Sequence, residues 1–373
     1  MANSFGPRPM HEVKEELLGR AKANRNPFLY TIFEEVAPVI NGLQSVDREE
    51  WARAFSSLAA PHEEGAAKAE ASGESATALK EYLIAYDYHH VARYPAPNSP
   101  GKLAAYRKSQ ENFHKAARYF DPPLERVDMP FKGKAGEGAV AIGLLRKPKG
   151  AARPPVVVLW GGIDAFKEER PSAPYLAAGL APLAIDMPGV ADAPLAGSEN
   201  GERLWDAVFD YIASRADLDA DRVAIHGGST GGYWATKVAH THRHRLRAAV
   251  NQGGPAHYAF QKAWIVKAQR GEYPFELAET LACAFGRSTG EEWIEYAAKL
   301  SLLDQGILDQ PCAPLLCVNG VNDSVFPIAD MHLLLEHGDP KWSRFYPGGH
   351  MGGGNSQAVI VQWLKEKLSA LRA

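Results

Sequence analysis

The chain has 373 residues, of which 46% are hydrophobic and 23% are charged, and 41 basic side chains against 44 acidic ones give a formal net charge of −3. These values are typical of a globular protein that folds in water, and they exclude a disordered chain or an integral membrane protein. The small net charge gives no reason to expect nucleic acid or an acidic membrane surface as a partner.

The N-terminal third of the chain has a helical pattern throughout. Its periodic apolar residues predict helices over 11–22, 27–39, 47–58, 77–94 and 102–119. The stretch 61–76, rich in Ala, Gly, Glu and Ser, fits either a helix or a mobile link, and the prolines of 94–101 predict a turn. We therefore expect residues 1–122 to form an N-terminal helical cap region.

After Asp121-Pro122-Pro123 the pattern changes to short apolar runs that alternate with helical stretches. These runs predict eight strands, at 125–130, 139–145, 156–160, 181–186, 223–226, 248–252, 314–318 and 343–346. Several are continuous in Val, Ile, Leu and Ala, as a strand covered by helices on both faces requires. We therefore predict, for residues 123–373, an α/β domain with a mostly parallel eight-stranded sheet and a helical insertion at about 255–310.

The strongest local motif surrounds a serine. A predicted strand runs into Gly227-Gly228-Ser229-Thr230-Gly231 and then into a helix. This order of strand, sharp turn and helix is that of a nucleophile elbow, in which the flanking glycines allow the tight bend that exposes the serine hydroxyl. A glycine-rich turn with a capping serine is the alternative, but the strand-to-helix context favours a nucleophilic role for Ser229.

A serine hydroxyl needs a base that accepts its proton, and that base needs an acid that orients it. Asp323 lies in a loop just beyond a predicted strand, and His350 lies between glycines after the last strand. The chain order Ser, Asp, His is that of the α/β-hydrolase fold. We predict this fold, with Ser229, Asp323 and His350 as its catalytic triad in the domain 123–373. Asp186 and Asp304 are competing candidates for the acid.

Acyl transfer also needs hydrogen-bond donors for the developing oxyanion. The strand at 156–160 ends in Gly161-Gly162, so we expect the backbone amides of Ile163 and Thr230 to form the oxyanion hole; an ordinary strand-ending turn is the alternative. Aromatic and histidine side chains of the helical regions suit an apolar or aromatic substrate. The candidates for substrate binding are Tyr233, His257, Trp264, Tyr94 and His90, although such residues more often serve packing.

These motifs resemble the FrsA-like family of α/β-hydrolases, which includes 2,6-dihydroxypseudooxynicotine hydrolase and the fungal Ayg1-type polyketide-shortening hydrolases. The resemblance spans roughly residues 80–370 and rests on the run from Trp160 to Glu169, the elbow, the pair Gly253-Gly254, and the Asp323 and His350 loops. It implies a serine triad under a helical cap, often in a homodimer, that cleaves a bond from a carbonyl carbon to a carbon leaving group, or an ester.

The chain departs from the family pattern at two places. Relatives commonly carry a larger residue before the serine and Leu after it, where this chain has Gly228 and Thr230. The nicotine-pathway enzyme is thought to use an additional carboxylate near the insertion, where this chain has His257 and Tyr258. These departures leave the substrate open.

Together these observations predict a serine hydrolase that cleaves a C–C bond next to a carbonyl, in a 1,3-diketone or a polyketide-like or aromatic substrate, through an acyl-enzyme. A carboxylic-ester hydrolase fits the same triad. A non-catalytic hydrolase-fold protein used for binding or regulation is the alternative from another class, and the intact triad argues against it. We expect a small-molecule substrate, a homodimer as the resemblance implies, and no nucleic acid or membrane partner.

Cysteine content and the N-terminus give further expectations. Cys283, Cys312 and Cys317 are too irregularly spaced for a disulfide framework or a zinc site, so we expect reduced core cysteines, no metal and no cofactor. The polar N-terminus and the absence of an apolar run of about 18 residues predict a cytoplasmic location. The charged run from Lys167 to Arg170 is expected to be a solvated face.

Overall fold

The computed structural model of the protein describes residues 8–369. These residues form two compact units. The helical unit holds the chain up to Leu124 together with Pro274–Glu276, and the sheet unit holds Glu125–Tyr273 and the chain from Leu277 onward. The sequence-based boundary at 122 lies two residues earlier, and three residues of the predicted insertion belong to the helical unit.

Six helices form the helical unit: α1 (Met10–Lys22), α2 (Phe33–Gly42), α3 (Arg48–Ser56), α4 (Ala59–Ala71), α5 (Ser75–Arg93) and α6 (Pro100–Ala117). Helix α5 is buried along most of its length and packs against α3, α4 and α6. The stretch for which the sequence left helix and link open is helical as far as Ala71.

Helix α2 begins at Phe33, six residues after the predicted start at 27. The reason is a buried carboxylate. One oxygen of Asp87 accepts the backbone amides of Leu29, Tyr30 and Thr31 at 2.8, 2.6 and 2.8 Å. These amides satisfy their hydrogen bonds on a side chain of α5, so the segment has no need of helical bonds.

The sheet unit contains all eight predicted strands: β1 (Leu124–Pro130), β2 (Val140–Arg146), β3 (Pro155–Trp160), β4 (Ala181–Ile185), β5 (Asp219–Gly228), β6 (Ala248–Gln252), β7 (Leu315–Gly320) and β8 (Lys341–Tyr346). The order across the sheet is β1-β2-β4-β3-β5-β6-β7-β8. Strands β4, β3, β5, β6, β7 and β8 pair in parallel, and β2 pairs antiparallel with β4. The predicted mostly parallel sheet is confirmed.

Eight further helices belong to this unit: α7 (Ala173–Ala177), α8 (Leu204–Ser214), α9 (Thr230–Thr241), α10 (Lys262–Ala268), α11 (Leu277–Ala284), α12 (Gly290–Ala297), α13 (Ile328–Glu336) and α14 (Ser356–Ser369). Side chains alternate between the two faces of a strand. Val157 and Leu159 of β3 pack in the core with Leu364 of α14, whereas the ring of the next side chain, Trp160, lies 4.7 Å from that of Trp205 of α8. Helices therefore cover both faces of the sheet.

Two expectations from the sequence are wrong. The run from Lys167 is not a solvated face: Lys167 is 3% exposed, and its Nζ contacts carboxylate oxygens of Glu168, Asp186 and Asp192 at 3.0, 2.9 and 2.6 Å. Burying this cation is tolerable because three carboxylates surround it. The expectation that all three cysteines lie in the core is wrong for Cys283, which is exposed, whereas Cys312 and Cys317 are buried.

Within residues 8–369 no helix is long and apolar enough to cross a membrane. Over the same residues, no group of three or more His, Cys, Asp or Glu side chains could hold a metal ion.

Candidate active site

Ser229 occupies the sharp turn between β5 and α9. Its φ of 54° and ψ of −134° are unusual for a residue with a side chain, and such strain, worth about 1–3 kcal/mol, concentrates at functional turns. A Cβ on Gly227 would lie 2.2 Å from the carbonyl oxygen of Gly231, and one on Gly231 would lie 2.2 Å from that of Gly161. The turn therefore requires glycine at both flanking positions.

The structure brings Ser229, His350 and Asp323 together at one edge of the sheet. The Nε2 atom of His350 lies 2.8 Å from the Oγ of Ser229, and its Nδ1 lies 2.8 Å from the Oδ2 of Asp323. The three residues follow β5, β8 and β7, and the carboxyl ends of parallel strands share one edge. When Nδ1–H donates to the carboxylate, Nε2 of the neutral ring is left as acceptor for the serine hydroxyl.

Asp323 is 5% exposed and held by four donors. Its Oδ1 accepts the amides of Val325 and Phe326 at 2.7 and 3.0 Å, and its Oδ2 accepts the Asn319 side chain at 2.8 Å in addition to His350. Burial raises the pKa of Asp323, but the charge of His350 and these hydrogen bonds outweigh burial and leave the pKa below its ordinary value. The carboxylate is therefore ionised and fixed in orientation at neutral pH.

His350 lies among acidic groups. Burial lowers the pKa of its imidazole, but the charge and hydrogen bond of Asp323, with further contributions from Glu272 and Asp164, outweigh burial and raise the pKa above its ordinary value. The imidazolium that forms when His350 accepts a proton is therefore stabilised. The competing acids are engaged elsewhere: Asp186 accepts from Lys167, and Asp304 lies 3.8 Å from His257.

Side chains from distant parts of the chain hold the two loops that carry Asp323 and His350. The Oε1 of Glu272 accepts the amide of His350 at 3.0 Å and the hydroxyl of Ser324 at 3.2 Å. The side-chain amide of Gln252 donates to the carbonyl of Met351 at 3.0 Å. Sequence reasoning missed both residues. The position of Gln252 at the end of β6, beside the strand that leads to Ser229, is a signal that could have pointed to it.

The loop after β3 passes beside Ser229. A Cβ on Gly162 would lie 2.8 Å from the Cβ of Ser229, 2.9 Å from its Oγ and 3.4 Å from the amide nitrogen of Thr230. Thr230 is the first residue of α9, so its amide has no acceptor within the helix and lies at the positive end of the helix dipole. Ile163 directly follows Gly162. The oxyanion role predicted for Ile163 and Thr230 stays a prediction.

Trp264, one of the predicted substrate-binding residues, lines an apolar recess of the sheet unit. Phe260, Leu281, Val325 and Phe326 are among the other residues that line it. The indole Nε1 of Trp264 donates to the carbonyl of Val325 at 2.9 Å, and the ring of Phe326 lies 5.7 Å from that of His350. The recess thus adjoins the Asp323 loop and His350.

Two other predicted substrate-binding residues of the sheet unit have different surroundings. Tyr233 is fully buried, with its ring 4.8 Å from Trp234 and 5.5 Å from Phe260. The Nδ1 of His257 lies 2.7 Å from the hydroxyl of Ser301. Neither residue lines the recess beside Trp264. Their substrate-binding roles stay predictions.

Tyr94 and His90 lie in the helical unit, and both are buried there. The ring of Tyr94 lies 6.5 Å from Trp51 and 5.7 Å from Phe275. The Nδ1 of His90 accepts from the guanidinium of Arg93 at 2.8 Å. Both side chains therefore pack within their unit, and their contact with a substrate also stays a prediction.

Comparison with known proteins defines the family. The family model described as "Esterase FrsA-like" matches residues 43–368. The chain belongs to this family. The α/β-hydrolase ucsC of Acremonium sp is 30% identical over 242 residues, which are 58% of this chain and 49% of that relative. The 20-hydroxy-prefusarin hydrolase FUS2 of Gibberella moniliformis is 28% identical over 247 residues, which are 61% of this chain and 58% of FUS2.

This FrsA-like chain spans about half to three fifths of the length of the curated relatives it matches. The crystal structure of 2,6-dihydroxy-pseudo-oxynicotine hydrolase superposes with a TM-score of 0.77 and 22% identity, covering 94% of this chain and 95% of that one. The predicted family and the predicted α/β-hydrolase fold are thus confirmed.

Proposed function

We propose that this FrsA-like protein is a serine hydrolase that forms an acyl-enzyme on Ser229. The observation that carries the proposal is the continuous chain of hydrogen bonds from Ser229 through His350 to Asp323, in which both links measure 2.8 Å. A fold kept only for binding needs no such chain. The strained elbow, which presents the hydroxyl to the imidazole, supports the same conclusion.

In the proposed reaction the Nε2 of His350 accepts the proton of Ser229 as Oγ attacks the carbonyl carbon. The amides of Ile163 and Thr230 donate to the oxyanion that develops on the carbonyl oxygen. Asp323 stabilises the imidazolium, which then delivers its proton to the leaving group as the acyl-enzyme forms. Water, deprotonated by the same imidazole, releases the acid and regenerates the serine.

For the substrate we propose a small molecule with an apolar or aromatic acyl part. The recess beside Phe326 and Trp264 has a cavity volume of only about 10 Å³ and would have to open to admit an acyl group; its mainly aromatic and aliphatic lining supports the apolar character of this choice. The cleaved bond is the C–C bond next to a carbonyl, as in a 1,3-diketone. Its leaving group is an enolate, which the imidazolium of His350 protonates. FUS2 is named as a 20-hydroxy-prefusarin hydrolase and the solved neighbour as a 2,6-dihydroxy-pseudo-oxynicotine hydrolase, and small-molecule substrates of this kind are compatible with this choice.

An ester is the second candidate, and the family description as esterase favours it. The same triad serves both bonds, because only the leaving group differs: an alkoxide or phenoxide from the ester, an enolate from the diketone.

We also propose that the protein works as a homodimer. Its molar mass, measured by light scattering during gel filtration, tests this proposal.

A matched pair of substrates tests the proposal. Dibenzoylmethane, a 1,3-diketone, and p-nitrophenyl benzoate would both give the same benzoyl-enzyme, so only the leaving group differs. We expect the wild type to release benzoate from both and Ser229→Ala to release it from neither. If the wild type cleaved the ester but not the diketone, the protein would be an esterase and the proposed C–C cleavage would be wrong. If neither substrate were turned over and a fluorophosphonate did not label Ser229, the alternative of a non-catalytic binding or regulatory protein would be favoured.

A further inference from the structure

Asn319 lies in β7, four residues before the acid of the triad, and its side chain is fully buried. Its Nδ2 donates to the Oδ2 of Asp323 at 2.8 Å, the same carboxylate oxygen that receives His350. Its Oδ1 accepts the backbone amide of Met351 at 2.9 Å. One side chain therefore binds both the acid and the residue that follows the base.

The two contacts fix which way the side-chain amide of Asn319 is turned. Its nitrogen must face the carboxylate, which only accepts, and its oxygen must face the N–H of Met351, which only donates. Met351 has a φ of 65°, in the left-handed region that residues with side chains rarely adopt. The bond from Asn319 thus stabilises an unfavourable backbone conformation directly after His350.

We propose that Asn319 is a positioning residue of the triad, which orients the Oδ2 of Asp323 toward the imidazole and fixes the backbone that holds His350 in place. This inference rests on the proposed function. Asn319 touches neither Ser229 nor the substrate in this scheme, so its effect reaches the reaction only through Asp323 and His350.

Two substitutions of similar size separate the parts of this role. Leu at position 319 keeps the volume but loses both hydrogen bonds. Asp at position 319 keeps an acceptor for the amide of Met351. It can donate a hydrogen bond to Asp323 only while the carboxyl groups at positions 319 and 323 share one proton. Two carboxylates in contact repel, which raises the pKa at which that shared proton leaves.

The pH dependence of the variants follows from the groups around the base. The charged groups that act on His350 are Asp323 from the acid loop, Glu272 from the insertion and Asp164 from the loop after β3, and all are acidic. In the wild type, kcat/KM should rise as His350 loses its proton and then stay level. In Asn319→Asp the rise should be followed by an alkaline fall, as the shared proton is lost and the carboxylates separate.

The test measures kcat/KM for p-nitrophenyl benzoate from pH 5 to pH 10. We expect at least a tenfold alkaline fall for Asn319→Asp and at least a tenfold loss at every pH for Asn319→Leu, because misplaced catalytic groups lower rates by factors of 10 to about 100. Asn322→Asp is the matched control: it makes the same substitution three residues further along, at an exposed site where the Nδ2 of Asn322 donates to the carbonyl of Pro347, and it should keep the wild-type profile.

A profile of Asn319→Asp that parallels the wild type would overturn the proposal, as would an alkaline fall equally large in Asn322→Asp. NMR provides a readout without turnover. The Nδ1–H proton of His350 should resonate far downfield in the wild type and move or vanish in Asn319→Leu, while an unmoved resonance in the folded variant contradicts the proposal. The proposed function is tested separately from the role of Asn319, by comparing the activity of the wild type with that of Ser229→Ala.

Discussion

Replacement of Asp323 by Asn tests how the carboxylate prepares the base. Four donors converge on its two oxygens, two on each. An asparagine has only one oxygen, so its NH₂ group must face one pair of donors. If the oxygen stays with the backbone amides of Val325 and Phe326, the NH₂ faces Nδ1 of His350. The imidazole then accepts at Nδ1 and carries its proton on Nε2, so it has no lone pair for Ser229.

The expected loss is large, because the wrong tautomer removes the general base and the missing charge no longer stabilises the imidazolium. Loss of the orienting carboxylate in a serine triad lowers the rate on the order of 10⁴-fold, which corresponds to about 5 kcal/mol of transition-state stabilisation. The pKa of His350 should fall as well, because Asp323 is the strongest of the groups that raise it.

The assay measures kcat/KM for p-nitrophenyl benzoate across pH, together with the melting temperature. Asp330→Asn is the matched control, because this buried carboxylate accepts the amides of His257, Tyr258 and Ala259 and does not contact the triad. We expect the control to lose stability and keep the wild-type pH profile. If Asp323→Asn kept activity within tenfold of the wild type, the assignment of Asp323 as the orienting acid would be wrong.

Three further predictions concern the oxyanion loop, the base and the recess. Gly162→Ala places a methyl group 2.9 Å from the Oγ of Ser229, so kcat/KM should fall at least 100-fold while circular dichroism stays native; wild-type rates would refute the oxyanion geometry. Because the pKa of His350 is raised and only the neutral ring accepts a proton, kcat/KM should fall with decreasing pH with a midpoint above 6.5, and a midpoint near 5 would contradict the acidic surroundings. Trp264→Ala should raise KM for benzoyl esters more than for acetyl esters, and equal changes for both would remove the recess from the substrate site.

Local sequence signals were enough to predict the sheet and the sharp turn that carries Ser229. The runs of Val and Leu in β3 and β7 are buried on both faces, so their continuous hydrophobicity marks them without any knowledge of their partners. The elbow is equally local, because the glycines at 227 and 231 are required by contacts within one turn. Asp323 and His350 followed from the chain order of the fold and from their places just after strands.

What the sequence did not predict depends on contacts between distant residues. The segment before α2 is non-helical because of Asp87, more than fifty residues away in sequence. Lys167 is buried because Asp186 and Asp192 meet it across the fold. Glu272 of the insertion accepts the backbone amide of His350, and no periodicity or spacing in the sequence predicts this hydrogen bond.

The most direct measurement of the central claim is an acid quench during turnover of p-nitrophenyl benzoate, followed by proteolysis and mass spectrometry of the peptides. The wild type should carry one benzoyl group on the peptide that contains Ser229, and Ser229→Ala should carry none and release no p-nitrophenol above background. Full turnover by Ser229→Ala, or a benzoyl group on a different residue that turns over at the catalytic rate, would contradict the assignment of Ser229 as the nucleophile.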